Sequence, residues 1–121
     1  MQKTSPIALA DLLANNCTPK VDALLPEQLA SLQSVLPDWQ VEGQTIVKIF
    51  SFKNYYQTLA FVNAIAYVIH VQDHHPQLIV TYNRCEVRYD THSVNNGQGG
   101  LSENDFICAA KVNAIYQQSQ P

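Results

Sequence analysis

A chain of 121 residues, 46% hydrophobic and 14% charged, has the length of one ordinary domain and enough apolar content to bury a core, which excludes a disordered chain and makes a second domain unnecessary. Its formal charge of −3 and pI near 5.7 exclude a general attraction to nucleic acid or anionic lipid, which would call for a basic patch or stripe.

The N-terminus, "MQKTSPIALADLLANN", lacks the charged start, continuous apolar stretch and cleavage site of a secretory signal. Ser5 followed by Pro6 reads as an N-cap with proline at the first helical position, so residues 5–14 are expected to form a short helix carrying Leu9, Leu12 and Leu13. Residues 15–23 read as a linker, giving an N-terminal extension and linker over 1–23 and one domain over 24–121. Pro26 opens a helix in which Leu29, Leu32 and Leu36 recur at helical spacing, and Pro37 stops it. "WQVEGQTIVKIFSF" then reads as a hairpin turning near Gly43, with Trp39 and Val41 alternating on its first strand.

The central helix carries Phe61, Val62, Ile65, Val68 and Ile69 on one stripe, with Ser51 or Asn54 as its cap. This longest apolar run is broken by Asn63 and His70 and is too short to span a bilayer. If the helix continues to His74, then Asn63, Tyr67, His70 and His74 project from the side opposite the stripe. Pro76 cannot extend it and biases His75 toward extended backbone. "LIVTY" and "CEVRYDT" follow as a second hairpin, in which Cys85, Val87 and Tyr89 alternate with Glu86, Arg88 and Asp90. His92 falls in line with the polar face. After the Gly-rich "SVNNGQGG" loop, Leu101, Ser102 and Phe106 form a staple and N-cap for a last helix.

The order helix, hairpin, helix, hairpin, helix predicts an α+β fold: a four-stranded antiparallel sheet with helices packed on one face. Cys17, Cys85 and Cys108 form neither a CxxC pair nor a disulfide framework, and with no export signal they predict a cytoplasmic protein in reducing surroundings.

Three of the four histidines fall within "HVQDHHP", and three readings of them stand side by side. They are exposed residues of a helix end and a turn. Or His70 and His74, at i and i+4, form a metal site completed by His92; the glutamate of a zinc-protease HExxH is absent, Val71 standing there. Or they are acid/base catalysts, for which an imidazole pKa near 6.5 is suited.

Taken in order, "LPDW", "FSFKNYYQTLAFVNAIA", "DHHP", the aromatic Tyr82 of "TYNRCEV", "TH" ending in His92, and "GLSENDF" make the chain resemble the pterin-4a-carbinolamine dehydratase family over residues 24–115. The family fold is again an antiparallel sheet with helices on one face. The resemblance implies that His74, His75 and His92 are catalytic. It assigns substrate binding to Trp39 at the pocket edge, Pro76, Asp105 and His70, the last at a position where an acidic residue is common. For Asp105 a second reading stays open, since a carboxylate in the first turn of a helix is stabilised by the helix dipole.

The implied reaction is loss of water from a 4a-hydroxytetrahydropterin, giving quinonoid dihydropterin and supporting cofactor recycling for an aromatic amino acid hydroxylase. It needs one proton delivered to the hydroxyl and one removed from nitrogen. His75 and His92 are expected to transfer protons while His74 holds and polarises the pterin. The pterin is the substrate, so no cofactor or metal is called for. The same fold also serves as an interaction module, in coactivator and assembly-factor roles, and fold alone does not decide function. Two open sheet edges and family precedent predict a homodimer or homotetramer, with no nucleic acid or membrane as partner and "IALADLL" as a candidate to cover an adjoining surface.

Overall fold

The first hairpin turns on Gly43, whose φ of 62° is the left-handed conformation that a two-residue turn between paired strands favours. Glu42 pairs with Thr45 across it, joining β1 (Gln40–Glu42) to β2 (Thr45–Ser51). In a computed structural model that describes residues 8–119, the second hairpin joins β3 (Gln77–Val80) to β4 (Arg84–Tyr89). The two hairpins meet through β2 and β4, so the antiparallel sheet runs β1-β2-β4-β3. The long connection between them is α3 (Tyr55–Gln72); α1 (Leu9–Ala14) and α2 (Pro26–Val35) precede the sheet and α4 (Glu103–Ser119) follows it. This is the α+β architecture expected from the sequence.

The period-two pattern of β4 decides which face the helices cover. Its register sets Tyr89 opposite Ile46, Val87 opposite Lys48 and Cys85 opposite Phe50. Tyr89, Val87, Cys85, Ile46 and Phe50 are all buried with Phe61 and Ile65 of α3 and Phe106, Ile107 and Val112 of α4. The intervening Glu86 lies between Ile49 and Ile79 on the opposite face, where both isoleucines are exposed. Phe50 anchors an aromatic cluster, with ring centroids 4.8 Å from Phe61 and 5.0 Å from Tyr116; such pairs add to simple area burial.

Of the two candidate caps, Asn54 starts α3, its side chain accepting from the Gln57 N–H at 2.9 Å. Ser5 and Pro6 lie outside the described residues. The helix that follows them begins at Leu9, packs on α4 and buries Leu12 in the main core. Lys111 of α4 also donates to the Leu13 carbonyl at 2.8 Å. Leu12→Ala is therefore expected to cost about 2–5 kcal/mol of stability, as for other fully buried leucines, measured as the urea midpoint of the full chain; an unchanged midpoint would show that α1 is not part of the core.

The linker over residues 15–23 contains no helix or strand, yet it is tied at several points. The Cys17 N–H donates to Gln72 Oε1 at 2.7 Å, and Asn104 accepts from the Thr18 N–H and donates to the Thr18 carbonyl. Further on, the Leu24 N–H donates to the Leu101 carbonyl at 2.9 Å. The segment thus crosses the C-terminal end of α3 and the N-terminal end of α4, where it becomes part of a cavity wall.

Candidate active site

Helix α3 stops at Gln72, two residues short of the extension to His74 that helical spacing allows. Asp73 takes the left-handed conformation at φ 52° and ψ 42°, which aspartate tolerates better than most residues. The chain leaves the helix axis there. His70 remains exposed on the helix, while His74 turns inward, so the two histidines do not share a face and no His70, His74 and His92 set is formed. Among the described residues no three His, Cys, Asp or Glu side chains are grouped so as to hold a metal ion.

His74 is met by Asp105, the third residue of α4. The carboxylate is fully buried and uses both oxygens: Oδ2 accepts from the Ser102 N–H and the Thr91 hydroxyl, each at 2.9 Å, and Oδ1 lies 2.6 Å from His74 Nε2. The Ser102 N–H to Asp105 bond is one half of a capping box, supplied by the acid at the third position of the helix. Because an ionised carboxylate only accepts, Nε2 carries the proton. Thr91 spends its own proton on Asp105, so the Ser102 hydroxyl, 2.7 Å away, donates to Thr91. The helix-start reading of Asp105 thus has a structural basis, and the same carboxylate also clamps His74.

The His74 ring stacks on the buried Tyr89 ring, with centroids 5.4 Å apart and planes 12° apart. One imidazole edge is held by Asp105 through Nε2, and one face is covered by Tyr89. Burial lowers the imidazole pKa, but the Asp105 hydrogen bond and charge, with smaller contributions from Cys17 and Asp90, outweigh it and raise it above the ordinary histidine value.

A cavity of about 290 Å³ opens beside this pair, at the small end of ligand-site volumes. Four chain segments line it: Thr18, Pro19 and Val21 from the linker; Asp73, His74 and His75 after α3; Thr91, His92 and Ser93 after β4; and Asn104 of α4. The three histidines named as catalytic thus share one cavity with unequal exposure. His74 is 13% exposed, His75 68% and His92 89%. Each has a carboxylate nearby, with His75 Nε2 3.9 Å from Asp73 and His92 Nε2 3.1 Å from Asp90, but in solvent such pairs contribute little.

Three of the four expected substrate contacts do not line this cavity, and the fourth lies behind its wall. Trp39 is fully buried rather than at a pocket edge, because its Nε1–H finds Asn113 Oδ1 of α4 at 3.1 Å and its ring packs edge-on against Phe50 at 6.0 Å. His70 and Pro76 are absent from the lining. Asp105 acts from beneath, through His74. The linker residues carried no sequence signal, since threonine, proline and valine in a segment without periodicity look like any connector, and Asn104 was quoted in "GLSENDF" without a role. Thr91, next to His92 in "TH", was legible only through its neighbour.

Comparison with known proteins agrees with this architecture. The family model for pterin 4 alpha carbinolamine dehydratase matches residues 22–115. A relative from Bdellovibrio bacteriovorus bearing the pterin-4-alpha-carbinolamine dehydratase name is 56% identical over 105 residues, covering 87% of this chain and 88% of its own. One of the same name from Nitrosospira multiformis is 51% identical over 110 residues, covering 88% and 94%. Among solved structures, a transcriptional coactivator/pterin dehydratase from Brucella melitensis superposes with a TM-score of 0.69 at 33% identity, covering 77% of this chain and 97% of that one. A pterin dehydratase-like RuBisCO assembly factor of the alpha-carboxysome gives 0.53 at 26% identity, over 65% and 92%. The chain belongs to the pterin-4a-carbinolamine dehydratase family, a family of hydro-lyases.

Proposed function

We propose that the chain dehydrates a 4a-hydroxytetrahydropterin to quinonoid dihydropterin by histidine acid/base catalysis. The observation that carries this reading is the convergence of His74, His75 and His92, from two separate chain segments, on one cavity in which a fully buried carboxylate holds His74. His74, protonated at Nε2 toward Asp105 and favoured in its cationic form, offers an Nδ1–H to the pterin and polarises it. His75 and His92, exposed at the mouth, exchange protons with both substrate and water. One delivers a proton to the departing hydroxyl and the other removes one from the adjacent ring nitrogen. Each positioned acid or base typically contributes ~10²–10⁴-fold, which is sufficient without a cofactor. The product is a quinonoid dihydropterin, which fits a role in recycling the tetrahydropterin of an aromatic amino acid hydroxylase.

The test is a dehydration assay on enzymatically generated 4a-carbinolamine, run before and after dialysis against a chelator. Acceleration that survives dialysis is expected. Loss of turnover with removal of a stoichiometric metal would overturn metal-free catalysis, whereas a folded wild type that binds pterin without acceleration would favour an interaction module.

The assembly state belongs to the same proposal. Exposed Ile49 and Ile79 on the uncovered sheet face, and the outer edges of β1 and β3, call for a covering chain, and a second copy meets that need in a homodimer or homotetramer. Light scattering at micromolar concentration should give a multiple of the 13.5 kDa chain mass; a monomer throughout dilution would exclude it.

A further inference from the structure

Cys17 and Cys108 are 91 residues apart in the chain, yet their sulfurs lie 3.4 Å from each other. Cys17 stands in the linker directly before Thr18 and Pro19 of the cavity wall, and Cys108 lies in α4 one turn beyond Asn104. The proposed dehydration uses neither thiol. We propose that Cys17 and Cys108 form a redox-sensitive dithiol that a peroxide closes to an intramolecular disulfide, pinning the linker wall of the active-site cavity to α4.

Three features support this assignment. The first is access: Cys17 is half-buried and borders a second cavity of about 260 Å³ together with Gln72, Asp73 and Asn104, so a small oxidant can reach it, while Cys108 is buried behind it. The second is the division of roles between the sulfurs. The hydrogen bond between the thiols favours the Cys17 thiolate; against the opposing effects of burial and the Asp105 charge, and helped by His74 and Lys111, it holds the Cys17 pKa below the ordinary thiol value. The same bond, together with burial, pushes Cys108 up. Cys17 is thus the attacking sulfur and Cys108 the resolving one. The third is that one partner stands outside the regular elements. A disulfide brings sulfurs to about 2 Å, and the remaining approach falls to the linker, which has no helix or strand to disturb.

The chemistry balances. The Cys17 thiolate attacks one peroxide oxygen, the O–O bond breaks, and the product is a sulfenic acid and hydroxide, which is protonated to water. Cys108 sulfur then attacks the Cys17 sulfur and displaces its hydroxyl, which leaves as water with the Cys108 proton. In all, two thiols lose two electrons and hydrogen peroxide becomes two waters. A small dithiol reverses the step by thiol–disulfide exchange. Cys85, buried in β4 with its thiol pushed up to about 11, stays outside the reaction.

The experiment treats the full chain with hydrogen peroxide, blocks remaining thiols and maps peptides without reduction. The expected result is a Cys17–Cys108 cross-linked peptide, Cys85 as the remaining free thiol, and reversal by dithiothreitol. The oxidised form should melt higher by roughly 10 °C or more, because the bond closes a long loop. Hydrogen exchange at residues 18–21 should slow in step. Cys17→Ser and Cys17→Ala, in a segment outside the regular elements, should abolish the cross-link and both shifts. Over-oxidation of Cys17 without a cross-link, or cross-links through Cys85 or between chains, would overturn the dithiol. A cross-link that left melting and exchange unchanged would overturn the pinning. No readout depends on dehydratase turnover, so failure here and failure of the proposed activity are separable.

Discussion

Asp105→Ala should lower the unfolding free energy by about 3–5 kcal/mol, the usual cost of removing one partner of a buried charged pair. The carboxylate is fully buried and accepts from the Ser102 N–H, the Thr91 hydroxyl and His74. Alanine strips all three of their acceptor and removes the helix-start contact of α4. Urea unfolding measures the loss, and a change below about 1 kcal/mol would mean that water replaces the carboxylate without penalty. Asp105→Asn separates shape from charge. The pKa of His74 is raised in the folded state, so its contribution is fully present below the unfolded value of about 6.5 and fades as pH rises through the folded value. The wild-type advantage over Asp105→Asn should therefore be largest in mild acid and shrink as pH rises above about 6.5. An advantage that grew as pH rose would contradict the clamp.

His92→Ala and His75→Ala should each reduce the rate of carbinolamine dehydration by roughly 10²-fold or more, while leaving stability within about 0.5 kcal/mol because both rings are largely exposed. The contrast with Asp105 is the useful part: large kinetic and negligible thermodynamic effects mark groups that act on substrate rather than on the fold. The double variant should lose less than the product of the single losses if the two histidines serve one concerted proton transfer. His74→Ala should raise KM more than it lowers kcat, since its assigned role is to hold the pterin. Steady-state kcat and KM for the four variants decide the division. An unchanged rate in either single variant would remove that histidine from proton transfer.

The comparison of His70 with His74 shows where sequence reading stopped. Four residues apart, they look like partners on one helical face, and only the left-handed turn at Asp73 separates them. Nothing in "QDHHP" specifies whether the helix ends at Gln72 or at His74, because Pro76 sets only an outer limit. Trp39 is a parallel case. A tryptophan near a strand start suits a pocket rim or a core equally well, and the deciding partner is Asn113, 74 residues away.

Local periodicity and turn chemistry, by themselves, determined the elements of this protein. The stripe Phe61, Val62, Ile65, Val68 and Ile69, the alternation along β4, the proline boundaries and the Gly43 turn each act within a few residues, so the α+β order was legible from the chain alone. Motif order further singled out His74, His75 and His92. Long-range hydrogen bonding decided the rest: that Asp105 reaches His74 from beneath, that the linker forms a cavity wall through Asn104, and that Cys17 comes to rest against Cys108. These contacts join segments dozens of residues apart, and which donor meets which acceptor is settled only when the helices close over the sheet.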